Sequence, residues 1–382
     1  MSFDKKLDIL KENSLYRKRN IITNIIEFPY IELNNKKLIN FGSNNYLNLN
    51  NVIKDTSLQK SSQNGIVQNA SPLIVGYTSW HEKLEKQLAK WKGQDDALVL
   101  SSGFLANYAL FSTLADDNCI FIIDKASHAS ILEIVKRQGV RFRVFPHKNY
   151  QVLRKLLSKE TKQNSIIYIV SDSLFSMDGD LADVSVLIDL AKQYQAYIVL
   201  DEAHAHGVYG INGAGLSIRN NINNYPKLVV TGTFSKSFSS YGGFISGSQQ
   251  LIDLMVNKAK PYIYNTALPL IHVFSSLEAL KNIKKGEAQK QLWKNIVFFV
   301  KKLNTSVAYS PIIPIIIGDN KKALQISKKL KNQGFFVPAI RYPTVAPKKA
   351  MLRISLSMGH THKQLNNLAE SINQFMSNHL ET

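Results

Sequence analysis

The chain has 382 residues, 45% of them hydrophobic and 10% aromatic, the balance of a globular protein with core enough for about two or three structural units. Its single cysteine, Cys119, excludes an internal disulfide framework and a cysteine-rich zinc site and suits a reducing cytoplasm. The net charge of +19 comes from scattered lysines, as at Lys321-Lys322, Lys328-Lys329 and Lys348-Lys349, with no zinc knuckle, basic zipper or RNA-binding signature; it reads first as a dispersed lysine-rich surface, with attraction of a polyanionic substrate carrier as the second reading.

The N-terminal MSFDKKLDILKENSLYRKRN has no apolar run of signal-peptide length and reads as an amphipathic helix. No later segment approaches the roughly 18 to 20 apolar residues of a membrane span. Residues 36–41 (KKLINF) form a short strand that leads into a polar turn, Gly42 to Leu47. Over 79–92, Trp80, Leu84, Leu88 and Trp91 fall on one helical face, and Gly93 can cap the end. An apolar strand, Ala97 to Leu100, then runs through Ser101-Ser102-Gly103-Phe104 into a helix from Leu105 to Leu114. Small residues there let the backbone approach an anion, and the helix N-terminus offers free N–H groups to a phosphate.

Beyond this point strand and helix alternate. Ile120 to Ile123, Phe142 to Phe145, Ile166 to Ser171 and Tyr197 to Leu200 are short and apolar. Amphipathic helices near His128 to Arg137, Tyr150 to Leu157 and Val184 to Gln193 separate them. This is the pattern of a mainly parallel sheet covered on both faces, whose ligands gather at the carboxyl ends of the strands. Ser102, Asp172, Asp201 and Lys236 all fall at such ends. From about Pro269 the pattern changes to two long helices, Leu270 to Lys281 and Ala288 to Leu303. A smaller α/β unit follows: Ile312 to Ile317, a helix over Lys321 to Asn332, strands Phe335 to Ala339 and Met351 to Leu356, and a closing helix near Gln364 to Met376. The expected division is an N-terminal arm at 1–50, a large domain at 51–282 and a small C-terminal domain at 283–382.

The residues that invite chemistry each have a plain alternative. Lys236, in VVTGTFSKSFSSYGG, lies between two serines after a buried strand; most such lysines sit in solvent, but one held in a pocket loses its proton more readily and can form a Schiff base. Asp201 ends an apolar strand, where an aspartate most often caps the next helix. Beside a pyridine nitrogen it would keep that nitrogen protonated. His204 follows three residues later and can equally be structural.

What sets these residues apart is a series of motifs in order: SNNYL at 43–47, SSGFLAN at 101–107, SHAS at 127–130, FSMDGD at 175–180, LDEAHAHGVYG at 200–210, TFSK at 233–236 and PTVAPKKAMLRISLSMGH at 343–360. From about residue 36 to 362 the chain resembles the α-oxoamine synthase family of pyridoxal-phosphate enzymes, of fold type I. Residues 310–347 are most similar to the branch that condenses L-alanine with a pimeloyl thioester, on coenzyme A or an acyl carrier protein, and releases carbon dioxide and the free thiol on the way to biotin. The resemblance implies a mainly parallel seven-stranded sheet in the large domain and a cytoplasmic homodimer, with neither nucleic acid nor membrane as partner.

It also implies roles. Lys236 would be the Schiff-base lysine, Asp201 the partner of the ring nitrogen, His204 a contact of the phenolic oxygen, and His128 a residue stacked on the ring and beside substrate. Gly103 and Phe104 would bind the phosphate with Thr233 and with Thr266, the last reaching across from a second subunit, and Ser176 would be a further cofactor contact. Arg353 would hold the amino-acid carboxylate, with Arg17 (or Arg19), Asn44, Arg341 and Thr344 as further substrate contacts; no metal is implied. The chain departs from the family at Val67 to Leu73, where a glycine- and serine-rich segment with an arginine is usual, and at Asp172, where glutamate is common. Two alternatives stand beside this branch. One is a sibling enzyme that joins another amino acid and acyl group, such as glycine with acetyl-CoA, or an autoinducer-type synthase. The other is a nucleic-acid-binding protein on an inactive enzyme fold, against which Lys236, Asp201 and His204 argue.

Overall fold

The structure is a computed structural model and describes residues 2–12, 15–17, 19–24, 27–163, 165–304 and 306–380. The chain divides into two compact units, one of Leu47–Ser176 and Asp180–Gln289, the other of Met1–Tyr46, Met177–Gly179 and Lys290–Thr382.

The larger unit is built on seven strands: β1 (Asp96–Leu100), β2 (Cys119–Asp124), β3 (Arg141–Phe145), β4 (Ile166–Asp172), β5 (Tyr197–Asp201), β6 (Leu228–Thr233) and β7 (Gly243–Gly247). They lie in the order β1-β7-β6-β5-β4-β2-β3. β3, β2, β4, β5 and β6 run parallel, and only β7 is antiparallel to its neighbours β1 and β6. Every residue of β2, β6 and β7 is buried, which is why these strands read as continuous apolar or small-residue runs without alternation. β7 (GFISG) escapes a hydrophobicity reading because glycine and serine fill three of its five places. Small residues are needed there: a Cβ on Gly243 would come within 2.5 Å of the Gly103 nitrogen.

Helix α1 (Ser79–Lys92) buries Leu84, Leu88 and Trp91 as its spacing predicts, and Gly93 ends it in the left-handed conformation with φ of 59°. Helix α2 (Gly103–Leu114) follows β1; Ser102 caps it, its hydroxyl accepting from the Leu105 N–H at 3.0 Å. Helix α3 (Ala129–Arg137) follows β2 and is capped by His128. A helix at Asn50–Asn64, absent from the sequence reading, packs on the one at Leu270–Lys285. It buries Ile53, Ser57 and Ser61, so small serines on its inner face leave no hydrophobic period to detect.

The smaller unit carries two sheets. Ile22–Asn24, Tyr30–Leu33, Lys36–Asn40 and Phe335–Phe336 form one; Ile312–Gly318, Ala350–Ser355 and Ala339–Ile340 form the other. The single strand expected over Phe335 to Ala339 is therefore two short strands in different sheets. Pro338, which has no N–H to give a ladder, stands at the crossing, and its carbonyl accepts from the Arg353 N–H at 3.1 Å. The N-terminal helix spans Phe3–Glu12; the described residues among 15–20 are not helical, and Met1, Asn13, Ser14 and Lys18 lie outside the described residues. No helix among the described residues is long and apolar enough to cross a membrane.

Candidate active site

In the larger unit the carboxyl ends of β4, β5 and β6 and the first turn of α2 enclose a cavity of about 270 Å³. Asp172 and Asp201 end β4 and β5 in register, each buried. Asp201 Oδ2 accepts from Asn107 Nδ2 at 2.9 Å, and its Oδ1 accepts from the Ala203 N–H at 2.9 Å, so the carboxylate is fixed from two sides. Asp172 accepts from the His128 N–H at 3.0 Å. Burial, and then the charge of Asp201, push the Asp172 carboxyl well above the usual carboxylate range.

Lys236 enters the same cavity from the loop after β6. That loop is closed by the Phe234 N–H donating to the Gly242 carbonyl at 2.9 Å. Phe234 and Phe238 are fully buried on either side of the lysine and pin the loop, while Lys236 keeps partial access to the cavity. Thr233 Oγ1 donates to the Gly242 carbonyl at 3.0 Å and lies 2.9 Å from Ser235 Oγ. Gly103 and Phe104 open α2 into the cavity, where the first N–H groups of a helix have no intrahelical acceptor. His128 lines it too, its Nδ1 2.7 Å from Ser130 Oγ. Desolvation lowers the His128 pKa, Asp201 opposes that and Lys236 adds to it, so the ring is neutral at pH 7. His204, buried, completes the wall.

Of the sequence-derived candidates, Gly103, Phe104, His128, Asp201, His204, Thr233 and Lys236 thus meet in one cavity. Ser176 sits in the turn closed by the Leu174–Leu181 bridge, and Thr266 is exposed near Asn265; neither lines it. Seven further residues line it: Ser102 and Asp172, which the sequence places at strand ends without a role, and Asn107, Ala203, Thr231, Gly232 and Ser235. The signal for Asn107 is its place in SSGFLAN, four residues after Gly103 and so on the same helix face.

Apart from His128, the substrate candidates lie in the smaller unit, in two groups. Arg353 is buried on the strand Ala350–Ser355; its Nη1 donates to Ser355 Oγ at 2.7 Å and its Nη2 to Asn44 Oδ1 at 3.1 Å, where Tyr46 Oη also donates at 3.2 Å. Burial lifts the Tyr46 hydroxyl to about 12, with Arg353 opposing. Arg17, Arg341 and Thr344 line a separate, more open cavity of about 780 Å³, in which Arg17 Nη2 donates to Thr344 Oγ1 at 3.0 Å. Arg19 is exposed and does not line it.

The family model for aminotransferase class I and II matches residues 36–372. The chain is 35% identical over 368 residues to the 8-amino-7-oxononanoate synthase of Hydrogenovibrio crunogenus, covering 94% of this chain and 92% of the relative. Among solved structures it is similar to the 8-amino-7-oxononanoate synthase of Francisella tularensis, with a TM-score of 0.76 and 26% identity over 90% of this chain and 99% of that one. A serine palmitoyltransferase variant from S. paucimobilis with bound PLP–myriocin aldimine shares the fold, with a TM-score of 0.89 and 24% identity over 97% of this chain and 96% of that one.

Proposed function

Because the chain belongs to the aminotransferase class I and II family, among its α-oxoamine synthases, we propose that it joins L-alanine to a pimeloyl thioester with loss of carbon dioxide, the reaction of an 8-amino-7-oxononanoate synthase in biotin formation. What carries this reading is the single cavity in which Lys236, Asp201, His128 and the opening turn of α2 face one another.

The cavity suits pyridoxal phosphate. Its phosphate end has a backbone brought close by glycine on both sides, since a Cβ on Gly103 would stand 2.9 Å from Thr233 Cβ and one on Gly243 would strike Gly103. Its ring end has a buried carboxylate already held by two donors. The N–H groups of Gly103 and Phe104 and the Thr233 hydroxyl would hold the phosphate. His128 would cover one face of the ring, and His204 would contact the phenolic oxygen. Asp201 would keep a proton at the ring nitrogen, where an opposite charge at contact distance is worth roughly 1.4–4 kcal/mol. When bound, the cofactor supplies an electron sink for charge that develops at the amino acid's α-carbon. Lys236 Nζ would anchor the cofactor, then take the α-proton and later return one to the product.

Arg353, oriented by Ser355 and Asn44, offers the planar fork that grips a carboxylate in two places, and Arg17, Arg341 and Thr344 would meet the far part of the acyl substrate. Ser176 and Thr266 remain proposed cofactor contacts, Thr266 from a second subunit. A homodimer accords with the larger unit's exposed apolar segment. Ile74 and Val75 are each 75% exposed and Tyr264 80%, and the segment is tied to its neighbour by the Ala267 N–H donating to the Ala70 carbonyl at 3.0 Å. The free, buried Cys119 accords with a cytoplasmic place.

Absorbance of the purified protein with added pyridoxal phosphate, before and after borohydride, tests the cofactor assignment; a borohydride-fixed adduct on Lys236 and a colourless Lys236→Ala variant are expected. Thiol release from alanine with pimeloyl-CoA, set against glycine with acetyl-CoA, tests the substrates. Turnover with the second pair alone would assign the chain to a sibling reaction.

A further inference from the structure

Behind the turn that carries Asp201 and His204 lies a buried ion pair that the proposed chemistry does not use. Lys92, the last residue of α1, and Glu202, the neighbour of Asp201, are both fully buried. Lys92 Nζ donates to Glu202 Oε2, to the Ala214 carbonyl and, at 3.1 Å, to Ser217 Oγ. The other carboxylate oxygen of Glu202 accepts from the Ser217 N–H at 2.7 Å, and His206 Nε2 stands 3.2 Å from Oε2. The pocket is shaped for this carboxylate: a Cβ on Gly215, whose φ is +99°, would overlap it. Burial pushes the Glu202 carboxyl up, but Lys92 and His206 outweigh that and hold it at about 2, while burial with Lys92 nearby keeps His206 at about 4 and so neutral.

We propose that Lys92 is a positioning residue: by holding the Glu202 carboxylate from behind, it sets the turn on which Asp201 and His204 meet the cofactor. The coupling runs through backbone. The Glu202 N–H donates to the Thr231 carbonyl at 2.9 Å, and its carbonyl accepts from the N–H groups of Ala205 at 2.9 Å and His206 at 3.0 Å, so the anchored side chain fixes both ends of the turn. Successive residues at a strand end point to opposite sides; Asp201 therefore reaches the cavity while Glu202 reaches Lys92. A purely stabilising role would not require charge, because apolar residues of like volume commonly replace a buried ion pair without loss. An ion pair that takes hydrogen bonds from fixed directions specifies a geometry that an apolar pair does not.

This rests on the cavity being the pyridoxal-phosphate site, and the test separates the two. If the parent protein binds no pyridoxal phosphate and yields no adduct on Lys236, the cofactor reading falls and this inference with it, before any variant is made. Given binding, the double variant Lys92→Met/Glu202→Gln leaves no unpaired buried charge. Without cofactor it is expected to melt near the parent's temperature, yet to bind pyridoxal phosphate about 10- to 100-fold more weakly, the range typical when an orienting partner of a ligand is removed. The pH midpoint of the bound cofactor's absorbance is expected to move as well. His128, Asp172 and Lys236 face Asp201 and are the same in parent and variant, and His206→Gln in both backgrounds removes the further titratable group that feels both Asp201 and Glu202, so a midpoint that still moves reports the placement of Asp201. A double variant with the parent's affinity and midpoint would overturn the proposal. Should it not fold, Ser217→Ala removes one contact from each charge and keeps both; weaker cofactor binding at an unchanged melting temperature is expected, and parental affinity overturns the proposal equally.

Discussion

Asp172 and Asp201 end neighbouring strands side by side, and burial with Asp201 alongside makes a charge on Asp172 costly. Asp172 has a folded-state pKa raised by burial and by Asp201, so the folded protein binds a proton there that the unfolded chain releases above 3.8. Stability linked to this group therefore falls as pH rises from that value. Asp172→Asn removes that slope. In the cofactor-free protein, the melting temperature of the variant relative to the parent is expected to rise as pH rises above about 4, where the unfolded chain releases the proton and the fold resists its release. A constant difference across the series would show that Asp172 is ionised in the fold. At this scale the meeting of Lys236, Asp201 and His204 in one cavity was legible because each sits in a motif with its neighbours. Asn107 and Lys92 were not, for physical reasons. Asn107 looks like any helical asparagine until the fold sets its amide against Asp201. Lys92 ends an amphipathic helix, where a lysine normally faces solvent and the helix dipole.

At the scale of elements, the turn that carries Ser176 is tied to the sheet by a histidine. His147, after β3, lies 2.9 Å from Asp124 Oδ1 at the end of β2 and 3.1 Å from Asp180 Oδ2, with its ring edge-on to Phe175 and Lys148 Nζ 2.8 Å from the same Asp180 oxygen. Burial lowers its pKa, but the two carboxylates outweigh burial and raise it to about 9 from 6.5. A raised histidine contributes stability that is fully present below the unfolded value of 6.5 and is lost as pH rises through about 9. His147→Gln is thus expected to cost about 1–2 kcal/mol near pH 6, after discounting for the solvent that screens this half-buried site, and to differ little from the parent above the raised pKa. Urea unfolding at both ends of that range checks it; an equal cost at high pH would mean that ring packing on Phe175 supplies the stability. The alternation of β2, β4 and β5 with their helices was legible because buried parallel strands are short apolar runs, while β3 is an edge strand in which only Phe145 is buried. β7 and the helix at Asn50–Asn64 were not, because glycine and serine let backbones approach and leave no periodic signal. The switch of sheets at Pro338 depends on pairing partners far away in sequence, which no local pattern encodes.

For the whole molecule, the net charge of +19 and the apolar segment around Ile74 and Val75 act in opposite directions. Two copies of a chain with this charge repel, and the repulsion is screened over about 10 Å at 0.1 M salt. In the proposed homodimer the segment would give association its drive, since exposed apolar residues of this size each gain about 1.5–3 kcal/mol when buried. The stretch where the chain departs from its family, Val67 to Leu73, lies beside this segment. Val67 is 58% exposed and Leu73 49%, and the Ile271 N–H donates to the Ile66 carbonyl at 3.3 Å, so this stretch joins the same apolar surface and leaves the wall of the Lys236 cavity to other residues. An interface held by apolar contact between like-charged partners strengthens with added salt, whereas one held by ion pairs weakens. Sedimentation velocity across a salt series is expected to show a dimer whose dissociation constant falls as salt rises, and Ile74→Asp/Val75→Asp is expected to sediment as a monomer throughout. A double variant that stayed dimeric would place the interface elsewhere. A dimer that loosened with salt would assign the association to charge, and the basic surface would then be drawn to acidic patches of the partner copy instead of standing free for an anionic acyl carrier.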